Sequence, residues 1–429
     1  MLGRGRGRNI LDLRGGIRLF RQPYTTGACD LGNVERVFIG QKRKFHWSEH
    51  GLINGTCWSM ISHYGLDLPP DRSMETPLHQ SHLSVFGGPR PPSAQWLNKA
   101  LPENSLDPDL PIIDPHVHFW ILPNGCKYFI EEFALDVAAC GHNIEATVFV
   151  ECNSFYRKGG PTHLQPVGET EFAVGMAAMA ASGQYTATRA AQGIVGFTDL
   201  TLGDRVAEAL DAQIAAANGR LRGIRQRAKW DADPAVRGSM HAPGPGLYLQ
   251  EDFSQGIDLL VSRGLLFEAS IFHTQIADVI ALARAHPDCS IVLNHSGSPV
   301  GHSSYAGMEA EVHAHWLAGM RELAACPNVA VKMGGLLMCL GNFDFTVAPR
   351  PPTSEELASL WRPYIEPCVE LFGAKRCMVS SNFPVEKAGV PYGTIWNMFK
   401  RVTAGCSADE RGLMFAETAR RVYSLRGAS

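Results

Sequence analysis

From residue 111 onward, short apolar runs alternate with longer amphipathic stretches, and this alternation is the strongest constraint on how the chain can fold. Eight runs rich in β-branched residues recur at strand length, starting at Pro111, Ala146, Gln192, Leu221, Leu265, Cys289, Asn328 and Arg376. The segments between them, such as 202–219 and 353–373, carry apolar residues at three-to-four spacing, and the second opens with the capping pattern Thr353-x-x-Glu356. Strands that alternate with helices predict a parallel sheet covered by helices.

Eight such units predict an α/β fold of the (β/α)8 class, a TIM barrel, over residues 109–429. The alternative is a doubly wound open sheet, which requires a glycine-rich phosphate-binding turn after its first strand. Here the first strand leads instead into DPHVHFW (114–120), which has no glycine. This contrast favours the barrel.

Residues 1–108 have a different composition and are expected to form an N-terminal extension that is partly disordered. The first 22 residues are rich in Arg and Gly and contain a single acidic residue, and residues 86–111 are punctuated by Pro and Gly. A mitochondrial transit peptide is the alternative interpretation of the start. Its glycines oppose the amphipathic helix that such peptides form.

Composition excludes several classes of protein. The formal net charge of -3 gives no electrostatic support for a nucleic-acid partner. No apolar stretch approaches the roughly 20 residues needed to cross a membrane. The 11 cysteines contain no CxxC pair, which is typical of reduced thiols in the cytoplasm. We expect a cytoplasmic protein that binds a small-molecule substrate, and a homo-oligomer remains open.

Histidines follow three of the predicted strands at the end where TIM barrels carry their active sites. His116 and His118 share one face of the first strand with Asp114, because strand side chains alternate. His273 follows the fifth strand and His295 follows the sixth. One such histidine is more often a buried imidazole with satisfied hydrogen bonds than a functional group. Four at matching strand ends predict a site.

Other polar residues stand at the remaining strand ends. These are Glu151, Cys152, Asp199, Arg222, Arg225, Arg227, Asn294, Lys332, Ser380, Ser381 and Asn382. A guanidinium binds a carboxylate through two parallel hydrogen bonds, so Arg225 and Arg227, together with Glu151, are predicted to bind substrate. Arg222 equally suits a pairing with an acid on an outer helix. Lys332 suits either charge pairing or substrate binding. The cations favour a small anionic or polyhydroxylated substrate.

Several motifs resemble the amidohydrolase superfamily, in the metal-dependent-hydrolase-like branch that includes 2-pyrone-4,6-dicarboxylate lactonase and sugar lactonases. They are DPHVHFW, VGETEF (167–172), LRGIRQ (221–226), FHTQ (272–275), NHSG (294–297) and SNFPVEK (381–387). The resemblance runs from about Leu110 to Arg426. It implies a TIM barrel and a hydrolase that opens a lactone or another carboxylic ester.

Catalytic roles transfer from the resemblance onto five positions. They are His116, His118, His273, His295 and Asn382. The last departs from the family pattern, in which an aspartate serves as general base, and an amide cannot accept a proton at neutral pH. Either another carboxylate acts as the base, or the activity has changed or been lost. The replacement candidates are Glu151, Asp199 and Glu386.

The cofactor is either absent or one divalent metal ion. His116 and His118 are the predicted metal ligands, and zinc is the ion that imidazoles favour here. The missing aspartate removes an anionic ligand, and the lactonase branch is similar to enzymes that need no metal. Metal-free chemistry is therefore the first expectation.

Three functions remain open from the sequence. The first is hydrolysis of a lactone, with the histidines stabilising the oxyanion. The second is non-oxidative decarboxylation of the aminocarboxymuconate-semialdehyde or resorcylate type, which depends on the metal and on the aspartate that Asn382 replaces. The third is a non-catalytic relative that binds a ligand or partner.

Overall fold

The computed structural model describes residues 90–122, 125–236, 238, 244–345 and 347–425. Most of the predicted extension, with its transit-peptide alternative, lies outside these residues. Its last part, residues 90–108, lies against the barrel. There Trp96 Nε1 donates a hydrogen bond to the Gly389 carbonyl (2.9 Å), and the Leu106 amide donates to Asn397 Oδ1 (2.8 Å).

Eight parallel strands form a nearly closed barrel, which confirms the predicted TIM-barrel fold. They pair in the order of the chain. They are β1 Ile112–Val117, β2 Ile144–Val150, β3 Arg189–Gly196, β4 Leu221–Arg227, β5 Leu266–Ser270, β6 Ile291–Leu293, β7 Val329–Met333 and β8 Cys377–Val379. A short antiparallel pair, Trp120–Ile121 with Lys127–Tyr128, follows β1.

The barrel closes between β1 and the segment after β8. Val117 forms a parallel bridge with Phe383, and the His118 amide donates to the Phe383 carbonyl (2.8 Å). Asp114 Oδ1 accepts a hydrogen bond from the Ser381 amide (3.0 Å), and its Oδ2 accepts one from the Tyr392 hydroxyl (2.9 Å). The carboxylate that the sequence places beside the histidines therefore joins the first and last units of the barrel.

A long helix follows each strand and buries its apolar face against the barrel. The helices are α1 Ile130–Cys140, α2 Val167–Ala181, α3 Arg205–Ala216, α4 Glu251–Val261, α5 Ile276–Ala285, α6 Glu309–Ala324, α7 Ser354–Phe372 and α8 Tyr392–Val402. The predicted capping box is present at α7, where Thr353 Oγ1 accepts from the Glu356 amide (3.2 Å). Within the described residues, none of the helices combines the length and apolarity that crossing a membrane requires.

The last described residues fill the barrel interior from its amino-terminal end. Residues 408–422 form short helical turns, and Ala416, Ala419, Tyr423 and Leu425 pack against inward-facing strand residues such as Val195. The interior is thus solid below the carboxyl ends of the strands. The polar side chains predicted from the sequence stand above this packed layer.

Candidate active site

Three of the four predicted histidines meet at the carboxyl ends of the strands. The His116 ring centroid lies 4.9 Å from that of His118 and 4.5 Å from that of His295. All three side chains are buried. His118 also stacks on Trp120, with centroids 5.6 Å apart and planes inclined by 11°. The alternation of strand side chains explains why His116 and His118 reach the same cluster.

The hydrogen bonds of His118 and His295 determine which ring nitrogen carries the proton. His118 Nδ1 lies 2.7 Å from the Val150 carbonyl oxygen, and His295 Nδ1 lies 3.1 Å from the Gly334 carbonyl oxygen. A carbonyl oxygen only accepts, so both rings carry their proton on Nδ1. In the neutral rings, Nε2 is left with a lone pair.

His116 also carries its proton on Nδ1, but in this ring it is Nε2 that makes the hydrogen bond. Its Nε2 accepts a hydrogen bond from Arg225 Nη1 (3.2 Å), and a guanidinium has no lone pair to offer in return. The proton of neutral His116 is therefore on Nδ1. That nitrogen is buried and has no hydrogen-bond partner among the described residues. The cluster thus presents an N–H donor on His116 and a lone pair on His295, while His118 is also hydrogen-bonded to the Asn382 side chain.

Burial and neighbouring cations keep these imidazoles neutral. Burial and then the charge of Arg225 lower the pKa of His118 to about 3. Burial also places the pKa of His116 well below its usual value, with Lys332 the next contributor. The pKa of His295 is lowered by burial and then by Lys229. Each effect disfavours the imidazolium form.

The backbone around His295 is unusual. His295 has a φ of +54°, in the left-handed region that few non-glycine residues occupy. Its ring lies directly over Gly335, whose φ is +69°, and a Cβ at residue 335 would stand 2.1 Å from His295 Nδ1. A glycine at 335 is therefore required by the ring as well as by the backbone.

His273 has different neighbours. Its ring contacts Tyr305 and His315 edge to face, with centroids 5.3 and 5.7 Å away, and its Nδ1 accepts a hydrogen bond from the Val300 amide (3.4 Å). Within the described part of the chain, no ring contact joins it to His116 or to His295. Burial lowers its pKa to about 4. It stands at the end of β5 as predicted but faces α6.

Arg225 and Arg227 point toward the same carboxylate. Arg225 Nε lies 2.7 Å from Glu151 Oε1, and Arg227 Nε lies 3.0 Å from the same oxygen. Arg227 Nη2 adds a hydrogen bond to Glu151 Oε2 (3.3 Å). Arg225 and Glu151 are buried, whereas the Arg227 side chain is 27% exposed. Both predicted substrate-binding arginines and the predicted Glu151 thus form one ion-paired group.

Lys332 lies deeper in the barrel and is completely buried. Its Nζ is 2.7 Å from Glu268 Oε1, which also accepts from the Tyr423 hydroxyl (2.6 Å). Glu268 Oε2 accepts from Asn294 Nδ2 (2.8 Å), and Asn294 Oδ1 accepts from Arg225 Nη1 (3.2 Å). These contacts support charge pairing, rather than substrate binding, as the role of Lys332. Glu268, which the sequence did not single out, is the centre of this layer.

The other strand-end groups make local contacts. Arg222 Nη1 donates to the Gly219 carbonyl (2.9 Å), before the start of β4 and away from the cluster. Asp199 accepts from the Thr201 amide (3.0 Å) and from Gln226 Nε2 (3.0 Å). Neither makes a described contact with the histidines.

Glu169 explains one of the sequence motifs. Its Oε1 accepts from the amides of Cys152 (3.0 Å) and Ser154 (2.7 Å), so the VGETEF segment on α2 holds the loop that follows β2. Burial, followed by the charge of Glu151, raises the pKa of Glu169 to about 8. This acid supports the loop and is one layer removed from the histidines.

Asn382 lies between Glu386 and His118. Its Nδ2 donates to Glu386 Oε1 (3.2 Å), and its side chain also makes a hydrogen bond with His118. Glu386 is completely buried, and its Oε2 accepts from the Leu337 amide (3.2 Å). Burial raises the pKa of Glu386 to about 8. Glu151 and Glu386 are each joined to the cluster through one side chain, Glu151 through Arg225 and Glu386 through Asn382, whereas Asp199 is not.

Lys229 completes the mouth and was missed from the sequence. It follows β4 two residues after Arg227, so the alternation of strand side chains, which places Arg225 and Arg227 on one face, would extend to it. Its Nζ lies 3.7 Å from Cys339 Sγ and 5.2 Å from the centroid of the Phe272 ring. Lys229 is half-buried. Among the described residues, no carboxylate forms an ion pair with it.

The family of the chain follows from its similarity to known proteins. A family model for amidohydrolases matches residues 113–425. The chain belongs to the amidohydrolase family. The match spans the whole barrel, from β1 to the residues that fill its interior.

Curated and solved relatives agree with this assignment. The chain is 33% identical over 339 residues to the uncharacterised protein y4mH of Sinorhizobium fredii, covering 74% of this chain and 99% of that protein. It is 28% identical over 236 residues to an L-fucono-1,5-lactonase of Burkholderia multivorans, covering 54% of this chain and 71% of the lactonase. An amidohydrolase structure from Burkholderia multivorans with bound HEPES is similar at a TM-score of 0.55 and 25% identity, covering 73% of this chain and 99% of that one.

The residues of the cluster do not suit a divalent cation. An amidohydrolase structure from Burkholderia multivorans, 24% identical to this chain, contains zinc. Here, however, the Nε2 lone pair of His116 already accepts from the Arg225 guanidinium (3.2 Å), and the position at which the sequence resemblance predicts an aspartate holds the neutral Asn382. In the described ranges, no group of three or more His, Cys, Asp or Glu side chains has the arrangement of a metal site. A dication there would face Arg225 without an anionic ligand from residue 382.

Proposed function

We propose that this chain is a hydrolase that opens a small lactone or cyclic ester. The observation that carries the proposal is the arrangement of three neutral imidazoles, with an N–H donor on His116 and a lone pair on His295. Ester hydrolysis needs both kinds of group, a donor for the carbonyl oxygen and an acceptor for a proton of water. The similarity to an L-fucono-1,5-lactonase supports a lactone as the ester.

The proposed reaction assigns one task to each ring. The Nδ1–H of His116 donates to the carbonyl oxygen of the lactone and stabilises the negative charge that forms there. The water oxygen attacks the carbonyl carbon while Nε2 of His295 accepts a proton from the water. The ring ester bond then breaks, and the departing oxygen takes that proton from His295. The product is the open hydroxy acid.

His295 is proposed as the base because the alternative carboxylates are engaged elsewhere. Glu151 is paired with Arg225 and Arg227, and Asp199 accepts hydrogen bonds within its own loop. Glu386 is one side chain away from the cluster. The low pKa of His295 keeps its lone pair available but makes it a weak base. A bound anion would raise that pKa and strengthen it.

We further propose that the reaction proceeds without a metal ion. The bond from Arg225 to His116 and the neutral Asn382 are the supporting observations. Arg225 holds His116 in one orientation and one tautomer, which a bound metal ion would otherwise do. His118, the other metal ligand predicted from the sequence, is instead proposed to help position the attacking water.

The test is acid release from a panel of small lactones by the purified protein, with and without EDTA. We expect hydrolysis of at least one lactone, unchanged by EDTA. Loss of activity in EDTA with recovery in zinc would contradict the metal-free proposal. Release of carbon dioxide from an unsaturated carboxylic acid, with no lactone hydrolysed, would favour the decarboxylase. No turnover of either class would favour a non-catalytic relative.

The proposed setting is the cytoplasm, with a small-molecule substrate as the partner. The buried cysteines of the barrel, such as Cys368 and Cys377, are free thiols, as expected in a reducing compartment. Whether two or more copies associate is tested by light scattering of the full-length chain.

A further inference from the structure

The cations of the mouth differ in whether a carboxylate neutralises them. Lys332 is paired with Glu268 at 2.7 Å, which leaves no net charge in that layer. Arg225 and Arg227 share the single carboxylate of Glu151, which leaves one positive charge. The three imidazoles are neutral.

Lys229 adds a second positive charge to the same region. Its contacts with Cys339 Sγ and the Phe272 ring are with groups that do not neutralise it. The nearby Glu386 has its oxygens engaged by Asn382 and by the Leu337 amide, and its pKa of about 8 keeps it largely protonated at neutral pH. Asp114, whose pKa of about 6 leaves it largely ionised at neutral pH, offsets one of these charges. In the described residues, the mouth therefore carries an excess of about one positive charge before any ligand binds.

The position of Lys229 places that charge beside the reacting groups. Cys339 lies in a short helix after β7, Leu337–Leu340, whose first amide also binds Glu386. The Lys229 ammonium is close enough to lower the pKa of both His295 and Glu386. Lys229 and Arg227 are also the half-buried cations of the mouth, whereas Arg225 and Lys332 are buried.

We propose that Lys229 forms a carboxylate-binding subsite, so that the substrate is a lactone bearing a free carboxylate rather than a neutral sugar lactone. This inference rests on the proposed function and specifies its substrate class. An anionic group at Lys229 gains a charge-assisted hydrogen bond and removes part of the charge excess.

The first experiment compares two lactones of nearly equal size, 5-oxotetrahydrofuran-2-carboxylate and its primary carboxamide. In the wild-type protein we expect the carboxylate to have the higher kcat/KM. In Lys229→Gln, kcat/KM for the carboxylate should fall about 10- to 100-fold, mainly through KM, as expected for one charge-assisted hydrogen bond. The carboxamide should change less than about two-fold. Lys229→Arg should retain most of the preference.

The matched control is Lys375→Gln, which removes one exposed lysine charge before the start of β8, at the opposite end of the barrel. It should leave both lactones unaffected. Equal losses on the carboxylate and the carboxamide in Lys229→Gln would overturn the inference. So would a loss in Lys375→Gln as large as that in Lys229→Gln.

A second measurement separates the inference from the proposed function. Glutarate, which cannot be hydrolysed, should raise the Tm of the wild-type protein and of Lys375→Gln but not of Lys229→Gln, and neutral glutaramide should have no effect. If no lactone is hydrolysed but this glutarate pattern holds, the hydrolase proposal fails and the subsite stands. If glutarate acts equally on all three proteins, or on none, the subsite is refuted whatever the lactones show.

Discussion

The Asn382 amide and the Glu386 carboxyl lie 3.2 Å apart, with the amide donating, in the loop that follows β8. Glu386 is fully buried there, and Asn382 separates it from His118. The position where the sequence resemblance predicts an acid thus holds a neutral group that is itself bound to an acid four residues later. Two of the predictions below follow from this pair.

Replacement of Glu386 by Gln should change how stability depends on pH. The pKa of Glu386 is raised to about 8 by burial, against about 4.3 in an unfolded chain. Between these values the folded protein retains a proton that the unfolded chain releases, so stability falls as pH rises through the window. The wild-type advantage over Glu386→Gln should therefore shrink by on the order of 1 kcal/mol or more from about pH 5 to about pH 8.5. Urea denaturation at the two pH values measures it.

The control for this measurement is Glu355→Gln, which removes an exposed carboxylate at the start of α7. Its difference from the wild-type protein should stay constant over the same pH range. A constant difference for Glu386→Gln as well would show that Glu386 titrates normally.

Replacement of Asn382 by Asp should give the protein a stronger response to zinc than that of the natural chain. The new carboxylate would lie beside Glu386 and within reach of His118. Without zinc it would be repelled by the charge of Glu386; with zinc it could supply an oxygen ligand beside the His118 nitrogen. We expect a lower Tm in EDTA and a larger increase in Tm on zinc addition than for the wild-type protein. Asn382→Ala, which supplies no ligand, should show no such increase. Equal zinc effects in all three proteins would contradict this expectation.

Replacement of His295 by Asn should abolish most of the activity while preserving the fold. Asn is tolerated at a φ of +54°, and its amide can keep the hydrogen bond to the Gly334 carbonyl while Nε2 is removed. Loss of a positioned base lowers kcat by about 10² or more, with Tm close to the wild-type value. His315→Asn, at an exposed histidine of α6, should be fully active. Comparable activity of the two variants would exclude His295 as the base.

Replacement of Lys332 by Met should lower the free energy of unfolding strongly only while Glu268 remains charged. The lysine and the carboxylate are completely buried with Nζ and Oε1 2.7 Å apart. Removing one partner of a buried ion pair costs about 3–5 kcal/mol, whereas replacing both costs much less. The double variant Lys332→Met, Glu268→Gln should thus unfold at a higher urea concentration than Lys332→Met alone. Additive losses in the double variant would show that the two groups are uncoupled.

The fold was predictable because its signals are local. Most strands are short apolar runs, as in Ile144–Val150 and Val329–Met333, and the capping box of Thr353 and Glu356 marks the start of α7. The meeting of His116, His118 and His295 likewise follows from strand alternation and from the rule that barrel strands end at one mouth. Residues far apart in the chain could thus be brought together without knowing any side-chain contact.

The electrostatic pairing of the site could not be predicted in the same way. Which cation Glu151 neutralises depends on packing between β2 and β4, and which one Glu268 neutralises depends on packing between β5 and β7. The orientation of His273 toward Tyr305 and His315 depends on how α6 packs against the barrel. Such contacts are fixed by side-chain geometry across elements, and a strand-end position alone does not specify them.

Gly335 offers a way to sort homologous chains without assaying them. The Cβ of a side chain at this position would stand 2.1 Å from His295 Nδ1, so it would have to displace the ring. A homologue with glycine here can hold its imidazole against the Gly334 carbonyl as this chain does. A homologue with a larger residue must orient that imidazole differently, even if every histidine is retained. One backbone position can therefore distinguish relatives that share this ring geometry from those that share only its residues.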